Sequence, residues 1–168
     1  MTGITPERAV AMVVFFVAWF ARYEFSGSGG VRAYRVDDDD GDYARRLRAT
    51  TAWLPRYAFA LAWSVLYTLN ALASYAYWAH QQEHHNGTAV WLLWLVNLAA
   101  NKLWSTLFFD RRAASAALAD IVVVLGSALA LVALFAADGA LAAVLLWLPY
   151  VAWLLLATVL NVRFVMMD

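Results

Sequence analysis

The chain contains no cysteine and few charged residues, and both shortages restrict what it can be. Without cysteine there is no disulfide, no thiolate nucleophile and no cysteine-ligated metal. Charged residues make up 14% of the 168 residues and the formal net charge is zero, so the charge gives no reason to expect a nucleic-acid partner. The sequence also lacks a phosphate-binding glycine loop, a GxSxG motif and a HExxH motif.

What the chain has in quantity is apolar sequence arranged in long runs. Hydrophobic residues make up 64% of it, against about 45–50% in ordinary soluble domains. About 20 helical residues cross the hydrocarbon core of a bilayer, which is about 30 Å thick. Five runs approach or exceed that length, at residues 9–25, 57–79, 88–109, 113–136 and 140–162. We therefore predict an all-α fold: an integral membrane bundle of five transmembrane helices, forming one domain over residues 1–168, with a soluble loop over about 26–56.

The first run and the arginines decide the predicted topology. Arg22 and Glu24 shorten the first run, which ends in aromatic residues and not in the small residues of a signal-peptide cleavage site, so we interpret it as a retained helix. With five spans, the first and third connections and the C-terminus share one side. That side carries Arg22, Arg32, Arg35, Arg45, Arg46, Arg48, Arg56, Arg111, Arg112 and Arg163. The opposite side carries only Arg8, so the positive-inside rule predicts a cytoplasmic C-terminus and an N-terminus on the opposite side.

Polar residues interrupt the third span in a regular way. Asn97, Asn101, Trp104 and Phe108 are spaced at i, i+4, i+7 and i+11, which places them on one stripe of a helix. Polar groups within hydrocarbon normally face a protein interior or a water-filled cavity. Two amides beside a tryptophan therefore suggest one wall of an aromatic pocket with polar tips, or else a contact with another helix. Lys102 lies off this stripe.

Two charges lie well inside predicted spans. Lys102 in the third span and Asp120 in the fourth are each nine residues from the turn near Arg111, so antiparallel helices would place them at one depth. They either form a buried ion pair, or Lys102 extends to the interface while Asp120 bonds a hydroxyl or the backbone.

The connection between the second and third spans holds all three histidines. They are His80, His84 and His85. Because these residues are predicted in a short exposed hairpin and not on a helix, where an i, i+4 pair would share one face, we predict no metal site.

The first connection is the one extended soluble feature. An acidic block, Asp37–Asp40, precedes a basic one, Arg45–Arg48. We interpret the region as a solvated loop with a short helix from Asp42. A lid over a cavity and a divalent-ion site are the alternatives, although four adjacent aspartates lack the alternating spacing of a calcium loop.

Several segments resemble the translocator protein family, also called the tryptophan-rich sensory protein or TspO family. Pro55–Tyr67 is similar to the family's proline, aromatic, Trp-x-x-Leu-Tyr motif. Asn97–Phe109 resembles its Gln-Leu-x-x-Asn-x-x-Trp-x-x-x-Phe-Phe signature, with asparagine in place of the glutamine. Leu146–Trp153, followed by Leu160-Asn161, resembles its Pro-Tyr-x-x-Trp and Leu-Asn run, and Ala117–Asp120 fits its fourth helix. The motifs occur in order and at matching spacing.

The resemblance implies a five-helix bundle around a ligand cavity that opens toward the first connection. It implies binding of porphyrins such as protoporphyrin IX or heme, of cholesterol in some members and of benzodiazepine-like drugs, with no cofactor required and a homodimer possible. By matched position, the cavity would be lined by Tyr57, Phe59, Trp63, Asn97, Asn101, Trp104, Ala119, Trp153, Ala157 and Leu160.

Three functions follow as alternatives. The leading one is a membrane receptor or carrier for a hydrophobic tetrapyrrole. A second is light- and oxygen-dependent porphyrin degradation, for which the family's tryptophan after the proline is here replaced by Tyr57. A third is a structural or partner-binding bundle without a ligand, because small residues such as Gly126-Ser127-Ala128 permit close helix approach.

Overall fold

The computed structural model describes residues 6–25, 41–52, 56–80 and 86–167; within helices it describes only the backbone of residues 21–25, 56–58 and 60. The described residues contain no β-strand. Their helices are α1 (Pro6–Phe25), α2 (Asp42–Thr51), α3 (Arg56–Ala79), α4 (Gly87–Ser105), a π-helical turn that continues α4 (Thr106–Asp110), α5 (Ala114–Ala137) and α6 (Leu141–Val165). The predicted all-α helical bundle is confirmed.

Five of the described helices are long enough to cross a bilayer. The segments Gly87–Asp110, Ala114–Ala137 and Leu141–Val165 contain windows of mean hydropathy 1.2, 2.5 and 2.2, so they qualify by length and composition. The helices α1 and α3 are 20 and 24 residues long. Both expose large apolar side chains, such as Val13 on α1 and Leu61 on α3. In water such surfaces would be unfavourable, whereas lipid tails solvate them.

The helices pack in a sequence of neighbours: α1 against α3, α3 against α6, α6 against α5, and α5 against α4. Aromatic side chains fill the interior. Trp19, Tyr77, Phe135, Trp147 and Tyr150 are all at most 1% exposed. The ring of Trp19 meets the rings of Trp147 and Tyr150 edge-on, at 5.8 and 6.0 Å between centroids. Edge-to-face pairs of this kind are the favoured arrangement of aromatic rings.

One end of the bundle is closed by hydrogen bonds to a single acidic residue, and we call it the Asp138 end. The carboxylate of Asp138 accepts hydrogen bonds from the hydroxyl of Tyr77 at 2.7 Å and from the side-chain amide of Asn86 at 2.8 Å. The turn between α5 and α6 contains Gly139 with φ at 72°, a left-handed conformation that glycine adopts without steric cost. These bonds tie α3 and the start of α4 to this turn.

The opposite end, the α2 end, is covered by the short helix α2. Ala44, Leu47 and Thr50 are spaced at three-residue intervals and are buried. The opposite face of α2 is exposed, where Asp42 forms an ion pair with Arg45. The hydrogen bond from Arg45 lowers the pKa of Asp42. The short helix expected from Asp42 is therefore present, but one of its faces is packed on the bundle. Residues 26–40, including Asp37–Asp40, lie outside the described residues.

Candidate functional site

A small space lies at the α2 end between α2, α3, the π-helical turn and α6, and we call it the α2 cavity. Its volume is about 40 Å³, which suffices for one or two water molecules, since a water occupies about 30 Å³ in the liquid. Its surface is almost wholly apolar. The lining residues are Leu47, Thr50, Thr51, Phe59, Trp104, Phe108, Phe109, Trp153, Leu156, Ala157, Leu160 and Asn161.

Aromatic rings form the walls of the α2 cavity. Phe59 of α3 meets Phe109 edge-on at 5.7 Å and lies 6.1 Å from Trp153 of α6. On the α4 side, Trp104 and Phe108 stack with centroids 5.2 Å apart. These rings come from three different chain segments. They therefore present flat apolar faces to one small space, as many pockets for small molecules do.

The π-helical turn explains how two consecutive phenylalanines both reach the interior. In an α-helix adjacent side chains point about 100° apart, whereas the wider turn at Thr106–Asp110 allows Phe108 and Phe109 both to be buried. The amide of Arg111 donates to the carbonyl of Thr106 at 2.9 Å, which closes the five-residue turn. Such π-helical turns are frequent at functional sites.

Tyr43 connects α2 to this turn. Its hydroxyl donates a hydrogen bond to the carbonyl oxygen of Phe108, and its ring lies 4.6 Å from that of Phe164 near the end of α6. Burial raises the pKa of Tyr43 to about 12, although the nearby Arg112 opposes the shift. The hydroxyl therefore remains a donor at neutral pH. A second link joins the ends of the two helices, where Thr50 Oγ1 lies 3.4 Å from Met167 Sδ.

The two indole N–H groups at the α2 cavity differ in their bonding. Trp104 Nε1 donates to Asn161 Oδ1 at 3.1 Å, and Asn161 in turn donates to the carbonyl of Ala114 at 3.1 Å. That chain of bonds joins α4, α6 and α5. By contrast, Trp153 Nε1 is buried and has no hydrogen-bond partner among the described residues. Trp153 is thus a residue that lines this cavity and carries a buried donor without a partner in the described part of the chain.

The two amides of the α4 stripe form a hydrogen-bond network with Tyr150. Asn97 is fully buried; it donates to the carbonyl of Val124 at 2.9 Å and to Ser127 Oγ at 3.0 Å, and accepts from the Tyr150 hydroxyl at 3.1 Å. Asn101 donates to that hydroxyl at 2.6 Å. Asn101 Oδ1 is buried without a partner in the described part of the chain. The side chain of Asn97 is thus fully used by neighbouring helices, whereas Asn101 keeps one acceptor.

The α2 cavity contains half of the ten residues that the resemblance assigned to a ligand site. Those five are Phe59, Trp104, Trp153, Ala157 and Leu160. Trp63 stands behind them, with its ring 6.2 Å from that of Trp153. Ala119 is exposed on α5, and the side chain of Tyr57 lies outside the described residues. The sequence prediction places no residue of α2 at the ligand site. The spacing of Ala44, Leu47 and Thr50 is nevertheless a detectable signal of a packed helical face.

Lys102, Asp120 and His80 are not among the residues that line the cavity. Lys102 is exposed, while Asp120 Oδ2 is buried without a hydrogen-bond partner, and no ion pair joins these two described side chains. His80 Nε2 lies 3.2 Å from the carbonyl oxygen of Asp138; His84 and His85 lie outside the described residues. In the described ranges no three histidine or acidic side chains are grouped as a metal site.

Comparisons with known proteins agree with the resemblance. Residues 24–167 match the TspO/MBR family. The chain is 35% identical over 107 residues to tryptophan-rich protein TspO of Archaeoglobus fulgidus, and 34% identical over 108 residues to translocator protein of Homo sapiens. It is 29% identical over 111 residues to protein CrtK of Rhodobacter capsulatus. These alignments cover 64%, 64% and 66% of this chain and 67%, 63% and 69% of the respective relatives.

Proposed function

The chain belongs to the TspO/MBR family of integral membrane proteins, and we propose that it is a receptor or carrier that binds a hydrophobic tetrapyrrole, protoporphyrin IX or heme, in the α2 cavity. It crosses the bilayer several times. Sterols and benzodiazepine-like molecules are further candidates for the same space, because they share with a tetrapyrrole the flat apolar shape that suits aromatic walls.

The observation that carries the proposal is the aromatic lining with an unused polar atom. Phe59, Trp104 and Trp153 supply flat faces, and aromatic rings stack favourably on one another. Trp153 Nε1 has no partner among the described residues and is available to an acceptor at the edge of the ligand. A free indole donor within an apolar cavity fits a ligand that is flat and apolar with a few polar substituents.

The small size of the cavity sets a condition for ligand binding. Its volume of about 40 Å³ is far below the roughly 300–1,000 Å³ of pockets that hold drug-sized ligands. A tetrapyrrole therefore enters only if part of the wall moves. The best candidate is α2, a ten-residue helix that covers the cavity with Leu47 and Thr50. Its contacts with the bundle include one hydrogen bond from Tyr43 and one sulfur contact from Thr50. We propose that α2 moves aside when the ligand binds.

Titration of the purified protein with protoporphyrin IX tests binding, with the quenching of tryptophan fluorescence as the signal. Trp153→Phe removes the free indole donor and should weaken Kd about five- to tenfold, since a hydrogen bond contributes about 1 kcal/mol and 1.4 kcal/mol is tenfold. Trp63→Phe should have a smaller effect because its ring lies behind that of Trp153. The control is Trp78→Phe, whose half-buried ring contacts Tyr75 near the Asp138 end. Absence of saturable quenching in the unmodified chain would refute the proposal.

A reversible covalent lock tests the movement of α2. Because the chain has no cysteine, the double variant Thr50→Cys/Met167→Cys carries the only two thiols, at positions whose side chains are in contact. Oxidation or a short thiol crosslinker should abolish protoporphyrin binding, and reduction of the disulfide should restore it. Each single variant treated in the same way is the control. Unchanged binding in the crosslinked protein would show that α2 does not need to move.

The proposal includes an orientation in which the α2 end faces the cytoplasm. It rests on the ten arginines predicted on that side of the membrane against Arg8 on the other. Fluorescent-protein fusions should fluoresce when attached to the C-terminus and alkaline phosphatase fusions should be active at the N-terminus. The reverse pattern would invert the assignment without affecting the ligand site.

A further inference from the structure

Asn70 is the least explained polar residue of the bundle. Its side chain is fully buried in α3, and neither Nδ2 nor Oδ1 has a hydrogen-bond partner among the described residues. It lies eleven residues after Phe59, about 16 Å along the helix at 1.5 Å per residue, and therefore in the half of the bundle toward the Asp138 end. The α2 cavity does not account for it.

The surroundings of Asn70 can be read from its neighbours on the same helical face. Tyr67 precedes it by three residues and Ser74 follows by four, so all three share one face of α3. The ring of Tyr67 stacks on Trp19 of α1 at 5.9 Å, and Ser74 Oγ accepts a hydrogen bond from Trp94 of α4 at 2.8 Å. Asn70 thus lies between two residues of α3 that contact buried tryptophans of α1 and α4.

Two more polar atoms in this interior lack partners. Trp19 Nε1 and Trp147 Nε1 are both buried without a hydrogen bond in the described part of the chain. The two rings are in contact, with centroids 5.8 Å apart, and both side chains are fully buried. Trp94, whose ring is 6.0 Å from that of Trp19, is different because Ser74 accepts its N–H. The contrast shows that this interior can satisfy an indole donor where a partner is present.

Polar atoms that are buried without hydrogen bonds or water raise the free energy of the folded state. A buried amide without hydrogen bonds loses its hydration and receives nothing in exchange, and lipid offers no alternative partner. Native proteins commonly satisfy isolated buried polar groups with an ordered water or a ligand. Asn70, Trp19 and Trp147 together present two indole donors, two amide donors and one amide acceptor.

We propose that Asn70, Trp19 and Trp147 form a second binding site, in the Asp138 half of the bundle, for the hydroxyl group of a neutral guest. A hydroxyl oxygen accepts two hydrogen bonds and donates one, so its bonding capacity matches two of these donors together with Asn70 Oδ1. All three side chains are fully buried, so the guest enters only when neighbouring side chains shift to open a space. A ketone or ester oxygen would leave the amide acceptor unsatisfied, and an ion would leave its charge uncompensated. The hydroxyl belongs either to a buried water or to an alcohol group of a membrane lipid. The site is separate from the α2 cavity and does not depend on tetrapyrrole binding.

The proposal is tested by NMR of the full chain in lipid nanodiscs, with the indole nitrogens labelled with ¹⁵N. Trp19→Phe and Trp147→Phe assign the two resonances. Magnetisation transfer from water to both indole protons would support a water guest. Transfer from lipid protons, together with a hydroxylated lipid in solvent extracts of the purified protein, would support an alcohol guest. Absence of transfer from either source would overturn the site, since its atoms would then be dry or bonded to one another.

A matched pair of variants tests the role of Asn70. Asn70→Leu removes the only acceptor of the site with little change in volume and should abolish the transfer to Trp19 and Trp147. Asn97→Leu makes the same replacement at a buried amide whose bonds are all to protein groups, and should leave the transfer intact. Transfer that persists in Asn70→Leu would overturn the assignment of Asn70. If Asn70→Leu does not fold, the measurement on the unmodified chain still decides whether a guest is present.

Discussion

Replacing Asn97 with leucine separates a structural role of this residue from a role in ligand binding. The resemblance to the family places Asn97 at the ligand, whereas its amide makes three hydrogen bonds to α5 and α6. Leucine has nearly the same size, so the change removes the polar contacts and leaves little empty space. The side chain is fully buried, which excludes compensation by solvent.

The expected loss of stability follows from the bonds that disappear. Hydrogen bonds between membrane helices contribute about 0.6 kcal/mol on average and at most about 1.7, so the two bonds to Val124 and Ser127 give about 1 kcal/mol. The hydroxyl of Tyr150 also loses its acceptor on Asn97, and a buried donor deprived of its partner costs about 1–3 kcal/mol. We expect a total of about 2–4 kcal/mol. For a chain of 168 residues this corresponds to a fall in Tm of about 4–16 °C.

Two measurements on the same preparation distinguish the two roles. Thermal unfolding in detergent gives the change in Tm, and protoporphyrin titration gives Kd. We expect Asn97→Leu to lower Tm and to leave Kd within about twofold, which is about 0.4 kcal/mol. The Tyr150→Phe variant should lower Tm too, and the double variant should lose less than the sum because both changes break one shared bond. An unchanged Tm with a weakened Kd would refute this reasoning and return Asn97 to the ligand site.

Three further predictions concern the two ends of the bundle. Tyr43→Phe removes the hydrogen bond to the Phe108 carbonyl, worth about 0.5–1.5 kcal/mol, and should speed porphyrin association about two- to tenfold in stopped-flow measurements; an unchanged rate would contradict the role of this bond. Because the folded-state pKa of Tyr43 is raised to about 12, its contribution to stability is complete below pH 10 and should be lost as pH rises from 10 through 12. In alkaline unfolding experiments Tyr43→Phe should remove that part of the pH dependence. Asp138→Ala deprives Tyr77 and Asn86 of their charged acceptor and should lower the free energy of unfolding by about 3–6 kcal/mol, since each such bond contributes about 1.5–3 kcal/mol; an unchanged Tm would show that these bonds are not stabilising.

The burial of the α4 stripe could be predicted from the sequence because it depends only on helical periodicity. Asn97, Asn101, Trp104 and Phe108 repeat at the spacing of one helical face, and all four are buried. Periodicity gives the direction of a side chain relative to its own helix. It does not give the partner, because that depends on which helix lies opposite and at what height. The bond from Asn97 to Val124 is a contact of this kind.

The packing of α2 and the end of α6 illustrates a second limit. Hydropathy ends the last apolar run before Arg163, whereas α6 continues to Val165. The reason is that Phe164 is 1% exposed and packs against Tyr43 of α2, a residue more than a hundred positions away in the sequence. The π-helical turn is likewise invisible to hydropathy, because its hydrogen bonds change the backbone and leave the composition of the segment ordinary. Both features depend on long-range contacts around the cavity.

The two ends of the bundle are closed in different ways, and the difference favours entry of a ligand at the α2 end. At the Asp138 end one carboxylate accepts hydrogen bonds from two separate segments, and hydrogen bonds to a charged acceptor contribute about 1.5–3 kcal/mol each. At the α2 end the cover is a single short helix, held by its buried face, one neutral hydrogen bond, one weak contact to a sulfur atom, and contacts of Tyr43 and Arg46 with the ring of Phe164. Opening the Asp138 end requires the long helices to separate, whereas displacing α2 exposes only its buried face. The free energy of opening is therefore lower at the α2 end. A ligand that enters there reaches the aromatic cavity directly.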